Sequence, residues 1–459
     1  MSQRLSVNLT EGKISGHVLR MLGPFSIAVI ALISTGIVDT IYLGNLSDPD
    51  RPNLGVIALA AVGVAFPLTF LGNSANIGLG AGTLSAISRA IGQDDFNKAR
   101  RHAAAAILFA LMIMLVLITI LMLVIPYILP AFGASQDVLD MAQKYLVISL
   151  PALVVVSVAM MCNNILRAGG EAILPSAIMI LGALINIILD PFLIFGWGPF
   201  PKLEIQGAAI ATLTGNVIAA TFGLFVVIHW RKAVTFENMS FGSFRRASRI
   251  IGHVGVPAMM TNMIVPFSAG VAVAIIGNNL STEDLAAFTL ASRSELISVG
   301  LLYALSACIG AITGQNGGAG LTDRVRYTFK FCYLICLVWS TLMAIVLAIF
   351  AQPIASVFSN DATVIAKAIP FFFIVPVTVT FYGFVFISAA GLNALGRPKY
   401  GLIYTIIRSL ILYIGLIYVG VILGGLNGAY VGVAVANVIS GLIAFGWTMT
   451  RVPMTAKKS

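Results

Sequence analysis

Two aspartates stand inside stretches that are otherwise apolar: Asp39 in ALISTGIVDTIYLG and Asp190 in INIILDPFLIFG. A charged aspartate at the centre of a membrane helix costs about 2.5–3.5 kcal/mol on insertion scales, so such residues are usually kept for function. A carboxylate in this setting can bind a proton, a sodium ion or a cationic compound. This chemistry points to transport across a membrane.

If their helices are neighbours, the two aspartates can share one polar site with Asn186, and Thr212, Thr214 and Asn216 of the sixth segment offer further polar groups. Asp39 and Asp190 each lie roughly 25 Å from the predicted inner end of their helix, at 1.5 Å per residue, so they can meet at one depth. Asn186 precedes Asp190 by one helical turn. Two carboxylates in one apolar pocket cannot both ionise cheaply, which favours a shared, exchangeable proton. Each of these side chains can instead serve helix packing alone, through hydrogen bonds to a neighbouring helix.

Other polar side chains within the apolar segments form a second group of candidates for a polar or substrate cavity: Thr214, Asn216, Arg293 and Glu295. Arg293 and Glu295 are two positions apart and do not share a helix face, so each is expected to find its partner on another element. Arg408 lies near the predicted inner end of its segment, where its long side chain can reach water.

The composition indicates an integral membrane protein. Charged residues make up 10% of the 459 residues and apolar ones 59%, against about 25% and 45–50% in soluble domains. Apolar runs long enough to cross roughly 30 Å of hydrocarbon recur along the whole chain. They lie near residues 22–43, 56–86, 103–129, 145–166, 173–197, 207–229, 250–277, 285–312, 331–352, 366–391, 401–422 and 428–449. The pattern predicts an all-α integral membrane protein with twelve transmembrane helices, of which the long second, seventh, eighth and tenth tilt or break.

Loop charges predict the orientation. With the N-terminus inside, the outer loops hold only Arg51, Lys144, Lys202 and Lys367, and the other loop Lys and Arg residues are inside. The positive-inside rule therefore places both termini in the cytoplasm and the protein in the plasma membrane. Because the basic residues lie in short loops beside membrane helices, the net charge of +10 does not indicate nucleic-acid binding. The four cysteines lack His or acidic partners, so no metal or cofactor is predicted, and nothing in the sequence requires more than one chain.

The two halves of the chain resemble each other. QGAAIATLTGNVIAA in the first half matches NGAYVGVAVANVISG in the second, and LRAGG matches LNALG. A parallel repeat of this kind relates two six-helix lobes by a pseudo-two-fold axis along the membrane normal. We predict an N-lobe at 1–230, a cytoplasmic linker at 231–249 and a C-lobe at 250–459. The C-lobe positions aligned with Asp39 and Asp190 hold Ala272 and Leu416, so ion coupling is expected in the N-lobe.

These motifs resemble those of the multidrug and toxic compound extrusion (MATE) family, in its DinF-like prokaryotic branch. The resemblance covers nearly all of the chain and is carried by GIVDTIYLGNLS, GLGAGTLSAISRAIGQDDFNKARRH, NIILDPFLIFG, QGAAIATLTGN and LNALGRPKYG. It implies antiport, in which inward proton or sodium flow drives export of amphipathic, often cationic compounds. It also implies that Asp39 is the coupling acid and that Asn186, Asp190 and Thr212 complete its polar network. Some members carry a further acid in the seventh segment; VGVPAMMTNMIVPFSAGVAVAIIG has none, which favours protons over sodium.

Two other functions stay open. A flippase for lipid-linked saccharide precursors is expected to line its cavity with several Arg and Lys, and the spans of the first half hold none. An integral membrane transferase is expected to show DDxxD-like or His/Asp clusters that hold magnesium or a phosphate. The adjacent acidic pairs, Asp94–Asp95 and Glu283–Asp284, are not followed by such a cluster. The sequence therefore favours an exporter over both alternatives.

Overall fold

Helices and their connections make up the computed structural model of the chain. The structure describes residues 7–49, 51, 53–132, 134–237, 239–359 and 361–451, and this part contains no β-strand. Both chain ends, predicted to be cytoplasmic, lie outside the described residues. Apolar runs of this length fold as helices because a helix pairs its backbone N–H and C=O groups within its own segment, where no water is at hand.

The helices are, in chain order, α1 Ile14–Gly44, α2 Leu54–Gly92, α3 Phe96–Ile128, α4 Gln136–Ala168, α5 Ile173–Phe195, α6 Ile205–Phe225, α7 Phe241–Asn279, α8 Thr282–Gly318, α9 Thr322–Ile349, α10 Ala351–Phe358, α11 Ala362–Ile374, α12 Val379–Ala394, α13 Pro398–Thr405 and α14 Ile414–Arg451. Eleven helical stretches of the described chain are long and apolar enough to cross a membrane. The last of them, Pro398–Thr450, holds two of the predicted spans, because the backbone leaves helical geometry at Gly424 and Gly425, inside α14. The all-α membrane fold predicted from the sequence is confirmed.

Long segments solve the excess of length in two ways. Both α2 and α7 are unbroken over 39 residues, which is about 58 Å at 1.5 Å per residue. This exceeds a hydrocarbon layer of about 30 Å, so these helices tilt or extend beyond it. The tenth segment is instead broken, because a 3₁₀ turn at Pro376–Thr378 separates α11 from α12.

Contacts divide the chain into two compact units. The first contains Gly23–Ile91 and Asp95–Met259, and the second contains Leu9–Leu22, Gly92–Asp94 and residues 260–451. The division falls within α7, and α7 begins at Phe241, so the second half of the predicted linker at 231–249 is helical.

Residues before α1 pack with the second unit. Arg324 donates hydrogen bonds to the backbone carbonyls of Leu9, Glu11 and Gly12 at 3.1, 3.2 and 2.9 Å. Three carbonyl acceptors on one guanidinium hold this segment in place, since charge-assisted hydrogen bonds are stronger than neutral ones.

Each unit has an apolar core of its own. The first core draws on all of the helices α1–α6 and includes Leu43, Ala58, Met114, Leu146, Ile194 and Ala208. The second includes Ala272, Phe288, Leu347, Phe371, Ile417 and Tyr430. The helices α1, α5 and α6, which carry the predicted ion site, therefore pack together within the first unit.

Glycines bring α5 and α6 into close contact. A Cβ atom on Gly215 would lie 2.5 Å from the carbonyl oxygen of Gly182, and one on Gly207 would lie 2.4 Å from that of Leu193. No side chain fits at these distances, so the two backbones can approach only because both positions are glycine. This approach sets α6 directly beside Asn186 of α5.

Candidate functional site

One buried face of α5 carries two of the predicted site residues. Asn186 is 3% exposed and Asp190 is completely buried. They lie one helical turn apart, so their side chains are neighbours on the same face. The helix continues through Pro191, where the missing N–H removes one backbone hydrogen bond directly after Asp190. The acid therefore lies where the helix is locally weakened.

The side-chain amide of Asn186 joins α5 to α6. Its Nδ2 donates to Oδ1 of Asp190 at 3.3 Å and to Oγ1 of Thr212 at 3.2 Å. An amide nitrogen has two hydrogens, so these two bonds use its full donor capacity. The structure thus brings Asn186, Asp190 and Thr212 into one hydrogen-bonded chain.

Asp39 of α1 meets this chain from a third helix. Its half-buried carboxyl group lies within hydrogen-bonding reach of the carboxyl group of Asp190. Such a bond requires a hydrogen, because two ionised carboxylates are acceptors only. One shared proton turns the contact from a repulsion into an O–H···O hydrogen bond.

Hydrogen-bond acceptors outnumber donors in this cluster. Within the part of the chain that the structure describes, Asp39 Oδ1, Asp190 Oδ2 and Asn186 Oδ1 have no hydrogen-bond partner. Leaving a buried acceptor unpaired costs about 1–3 kcal/mol. A proton or another cation on the aspartate pair relieves this cost, so the arrangement is suited to reversible binding of a positive ion.

Tyr145 is a site neighbour that the sequence reasoning missed. It lies on α4, is partly buried against the first core and interacts electrostatically with both Asp39 and Asp190. Its phenol can donate one hydrogen bond to a carboxylate. The only signal in the sequence is a hydroxyl-bearing ring within the apolar run KYLVISLP, and no spacing relates it to the distant aspartates.

Two further candidates on α6 bond to their own helix. Thr214 Oγ1 donates to the carbonyl of Ile210 and Asn216 Nδ2 to that of Thr212, each at 2.8 Å. Thr214 is two residues, or about 200° of helical rotation, from Thr212, so the two side chains face different directions. Among the described contacts, neither Thr214 nor Asn216 bonds to the aspartates.

The remaining candidates, Arg293 and Glu295, lie on α8 in the second unit. Arg293 is exposed and Glu295 is half-buried. Glu295 interacts electrostatically with Arg408, although no ion pair within 4.0 Å joins them in the described structure. Within the described structure, Arg293 and Glu295 therefore do not pair with each other.

Arg408 is buried, contrary to the expectation that it reaches water at a helix end. It is 6% exposed, and its Nε and Nη2 donate to Oδ1 of Asn437 at 3.3 and 3.0 Å. Its guanidinium carbon lies 3.7 Å from the centre of the Tyr382 ring. The cation is thus held by an amide and an aromatic face inside the second unit, where a carboxylate partner would ordinarily be expected.

Comparison with known proteins assigns the family. A family model described as MatE matches residues 24–192 and 257–419. The chain belongs to the MATE family. A Shewanella oneidensis protein named FAD transporter is 30% identical over 440 residues, which cover 95% of each chain. The multidrug export protein MepA of Staphylococcus saprophyticus is 25% identical over 92% of this chain and 90% of that protein.

A solved structure shares the fold of this transporter. The Vibrio cholerae MATE transporter VcmN, in a crystal structure of its bent form, superposes with a TM-score of 0.87 and 25% identity over 96% of this chain and 98% of that one. Like the other members of the family, the chain is a multi-pass membrane transporter of small molecules and not an enzyme, and MATE transporters need no cofactor.

Proposed function

We propose that this MATE transporter is an antiporter that exports amphipathic, often cationic compounds in exchange for protons. It would act by alternating access, as a single chain in the plasma membrane with both termini cytoplasmic. The observation that carries the proposal is the contact between the buried Asp190 and Asp39 beside unpaired acceptor oxygens. Acidic residues within membrane helices commonly mark proton or ion pathways, and a pair of this kind can gain and lose a proton.

The exchange follows from the charge of the pair. Without a proton, two carboxylates repel each other in an apolar core; with one proton, they form a hydrogen bond and carry a single charge. A cationic substrate neutralises the same charge, so proton and substrate compete for the pair. If each ligand binds one of two conformations better, this competition couples inward proton flow to outward substrate flow.

Sodium is the alternative coupling ion. Asp39, Asp190, Asn186 and Thr212 all present oxygens, the ligand type that hard cations prefer. A proton needs only the acid pair, whereas a sodium ion needs several of these oxygens at once. Protons are the simpler fit to the contact between the two carboxyl groups.

The proposal is tested with the purified transporter in liposomes. A pH gradient or a sodium gradient is imposed, and movement of a fluorescent organic cation is followed. We expect transport that follows the pH gradient in the wild type and is reduced to the level of empty liposomes in Asp39→Asn and Asp190→Asn. The matched control is Thr221→Val on α6, since Thr221 is exposed and bonds to its own helix at the Val217 carbonyl. Normal gradient-driven export by both aspartate variants would show that Asp39 and Asp190 do not couple transport to the ion gradient.

A second candidate substrate is flavin adenine dinucleotide. The relative named FAD transporter matches 95% of this chain, and a dinucleotide is an anion with aromatic rings. The buried Arg408, stacked on Tyr382 and without a carboxylate within 4.0 Å in the described structure, has the chemistry that binds phosphate and rings.

The two substrate classes are separated by one comparison. Liposomes are loaded with either flavin adenine dinucleotide or the fluorescent cation, and the wild type is compared with Arg408→Gln. Loss of flavin movement with retention of cation movement would assign Arg408 to anionic substrates. If the wild type moves no flavin, and the wild type and Arg408→Gln transport the cation equally well, the organic cation is the substrate.

A further inference from the structure

A cavity of about 270 Å³ lies within the first unit, outside the aspartate site. Its walls come from the N-terminal parts of α3 and α7 and from Met239 just before α7, at the two helix ends that the loop charges place on the cytoplasmic side. Four cationic or titratable side chains line it: Lys98, Arg101 and His102 from α3 and Arg246 from α7. Two separate helices therefore concentrate positive charge around one cavity.

None of the residues that line this cavity is acidic. Within the described structure, neither Arg101 nor Arg246 forms an ion pair with a carboxylate within 4.0 Å. Like charges that share a cavity repel each other, and this repulsion raises the free energy of the unoccupied site. An anion that enters would offset it, and planar guanidinium groups match the oxygens of a phosphate.

His102 offers a further donor at the wall of the cavity. It is 8% exposed, and its Nδ1 lies 3.4 Å from the carbonyl oxygen of Ala86. No hydrogen-bond partner of its Nε2 occurs among the described residues. Burial and the nearby charges of Lys98 and Arg101 disfavour a charged ring, and an anion in the cavity would offset this. The ring that is protonated on anion binding donates from both nitrogens, to Ala86 on one side and to the ligand on the other.

The cavity also has an apolar wall, which includes Ala105 and Ile250. A ligand that suits it carries negative charge on one side and hydrocarbon on the other. The volume of the cavity is close to the lower limit of small-molecule sites, about 300–1,000 Å³. The cavity is therefore larger than a bare phosphate ion requires. Basic pockets between membrane helices on the cytoplasmic side are places where phospholipid headgroups bind.

We propose that this cavity binds the phosphate headgroup of an anionic phospholipid from the cytoplasmic leaflet. Arg101 and Arg246 contact the phosphate, His102 donates from Nε2, and the acyl chains leave along the apolar wall. A bound headgroup holds the start of α7 against the start of α3. The site is independent of the aspartate pair, and its existence does not require that the proposed antiport is correct.

The test compares two double variants of the full-length transporter after removal of bound lipid. Arg101→Gln with Arg246→Gln removes two charges that line the cavity. Arg245→Gln with Arg249→Gln is the matched control, because it removes two exposed charges at the same end of α7 that do not line it. Melting temperature and native mass spectrometry are followed during titration with phosphatidylglycerol, phosphatidylcholine or inorganic phosphate.

We expect phosphatidylglycerol, but not phosphatidylcholine, to bind the wild type and the control pair and to raise their melting temperatures. Affinity should decrease about tenfold or more in the cavity pair, because each basic group near a charged lipid contributes substantially. Equal losses in both pairs would show diffuse surface attraction and overturn the proposal. The same stabilisation by inorganic phosphate alone would overturn the lipid assignment. If the cavity pair does not fold, Arg246→Gln must still bind phosphatidylglycerol more weakly than Arg245→Gln does.

Discussion

Asn186 donates its side-chain amide to Asp190 from the preceding turn of α5, over 3.3 Å. The bond occupies Oδ1 of the acid and leaves Oδ2 without a partner in the described structure, on a group that also meets the carboxyl group of Asp39. Asn186 thereby orients the acid and keeps one of its oxygens available to a proton.

Replacing Asn186 separates this orienting role from simple packing. We expect Asn186→Ala to reduce gradient-driven transport strongly while the fold loses little stability, since side-chain hydrogen bonds between membrane helices contribute about 0.6 kcal/mol on average. Transport in liposomes and thermal melting of the same preparation measure the two effects. A large loss of melting temperature with proportional loss of transport would assign Asn186 to packing instead.

Two threonines on α6 provide a matched pair. Thr212 accepts the Asn186 amide at 3.2 Å, whereas Thr214 bonds to the Ile210 carbonyl. We expect Thr212→Val to lower the rate of coupled transport and Thr214→Val to leave it close to the wild-type rate. Both substitutions keep the side-chain shape, so the comparison isolates the hydroxyl group. Equal rates in both variants would contradict the assigned network.

The close packing of α5 and α6 can be disturbed by a single substitution. In Gly215→Ala, the new Cβ would lie 2.5 Å from the Gly182 carbonyl oxygen, so the helices must separate. Overpacking of this kind costs about 1–3 kcal/mol, and the separation also weakens the bond from Asn186 to Thr212. Gly63→Ala is the control, since no atom outside the neighbouring backbone of its own helix lies within 4 Å of its added Cβ. We expect Gly215→Ala to have a lower melting temperature and slower transport than the wild type, and Gly63→Ala to match the wild type in both.

The cap at the N-terminus of α11 should make the stability of the protein depend on pH. Backbone N–H groups of Thr363 and Val364 donate to Asp361 at 2.7 and 3.2 Å, and these bonds hold the pKa of Asp361 below its ordinary value of 3.8. Because the folded-state pKa is depressed, the stabilisation is complete above the unfolded value and is lost as pH decreases through the folded one.

Melting curves measured as a function of pH check this effect. Asp361→Ala should melt below the wild type at neutral pH, and the difference should shrink in acid as the wild-type carboxylate is protonated. Asp361→Ser should retain a cap at neutral pH, because serine is a good N-cap residue, and should lack the acid dependence. A difference between Asp361→Ala and the wild type that does not change with pH would contradict the role of the ionised carboxylate.

Part of the site could be predicted from the sequence because it rests on local spacing. Asn186 and Asp190 lie one turn apart on any helix, and the similar depth of Asp39 and Asp190 follows from helix length alone. Tyr145 could not be found in this way, since its approach to both acids depends on how α4 packs. Arg408 was misjudged for the same reason: its position along the helix suggested access to water, whereas Asn437 and Tyr382 enclose it.

By itself, the sequence determined the membrane class, the helices and the placement of both aspartates in the first half of the chain. These properties depend on hydrophobic length and on the identity of single residues, and both can be read without a partner. Only the tertiary structure decided that Asp39 meets Asp190, that Thr212 rather than Thr214 receives the Asn186 amide, and that basic residues of α3 and α7 share a cavity. Such contacts depend on the distance and rotation between helices, which small residues such as Gly182 and Gly215 set through packing that no local pattern records.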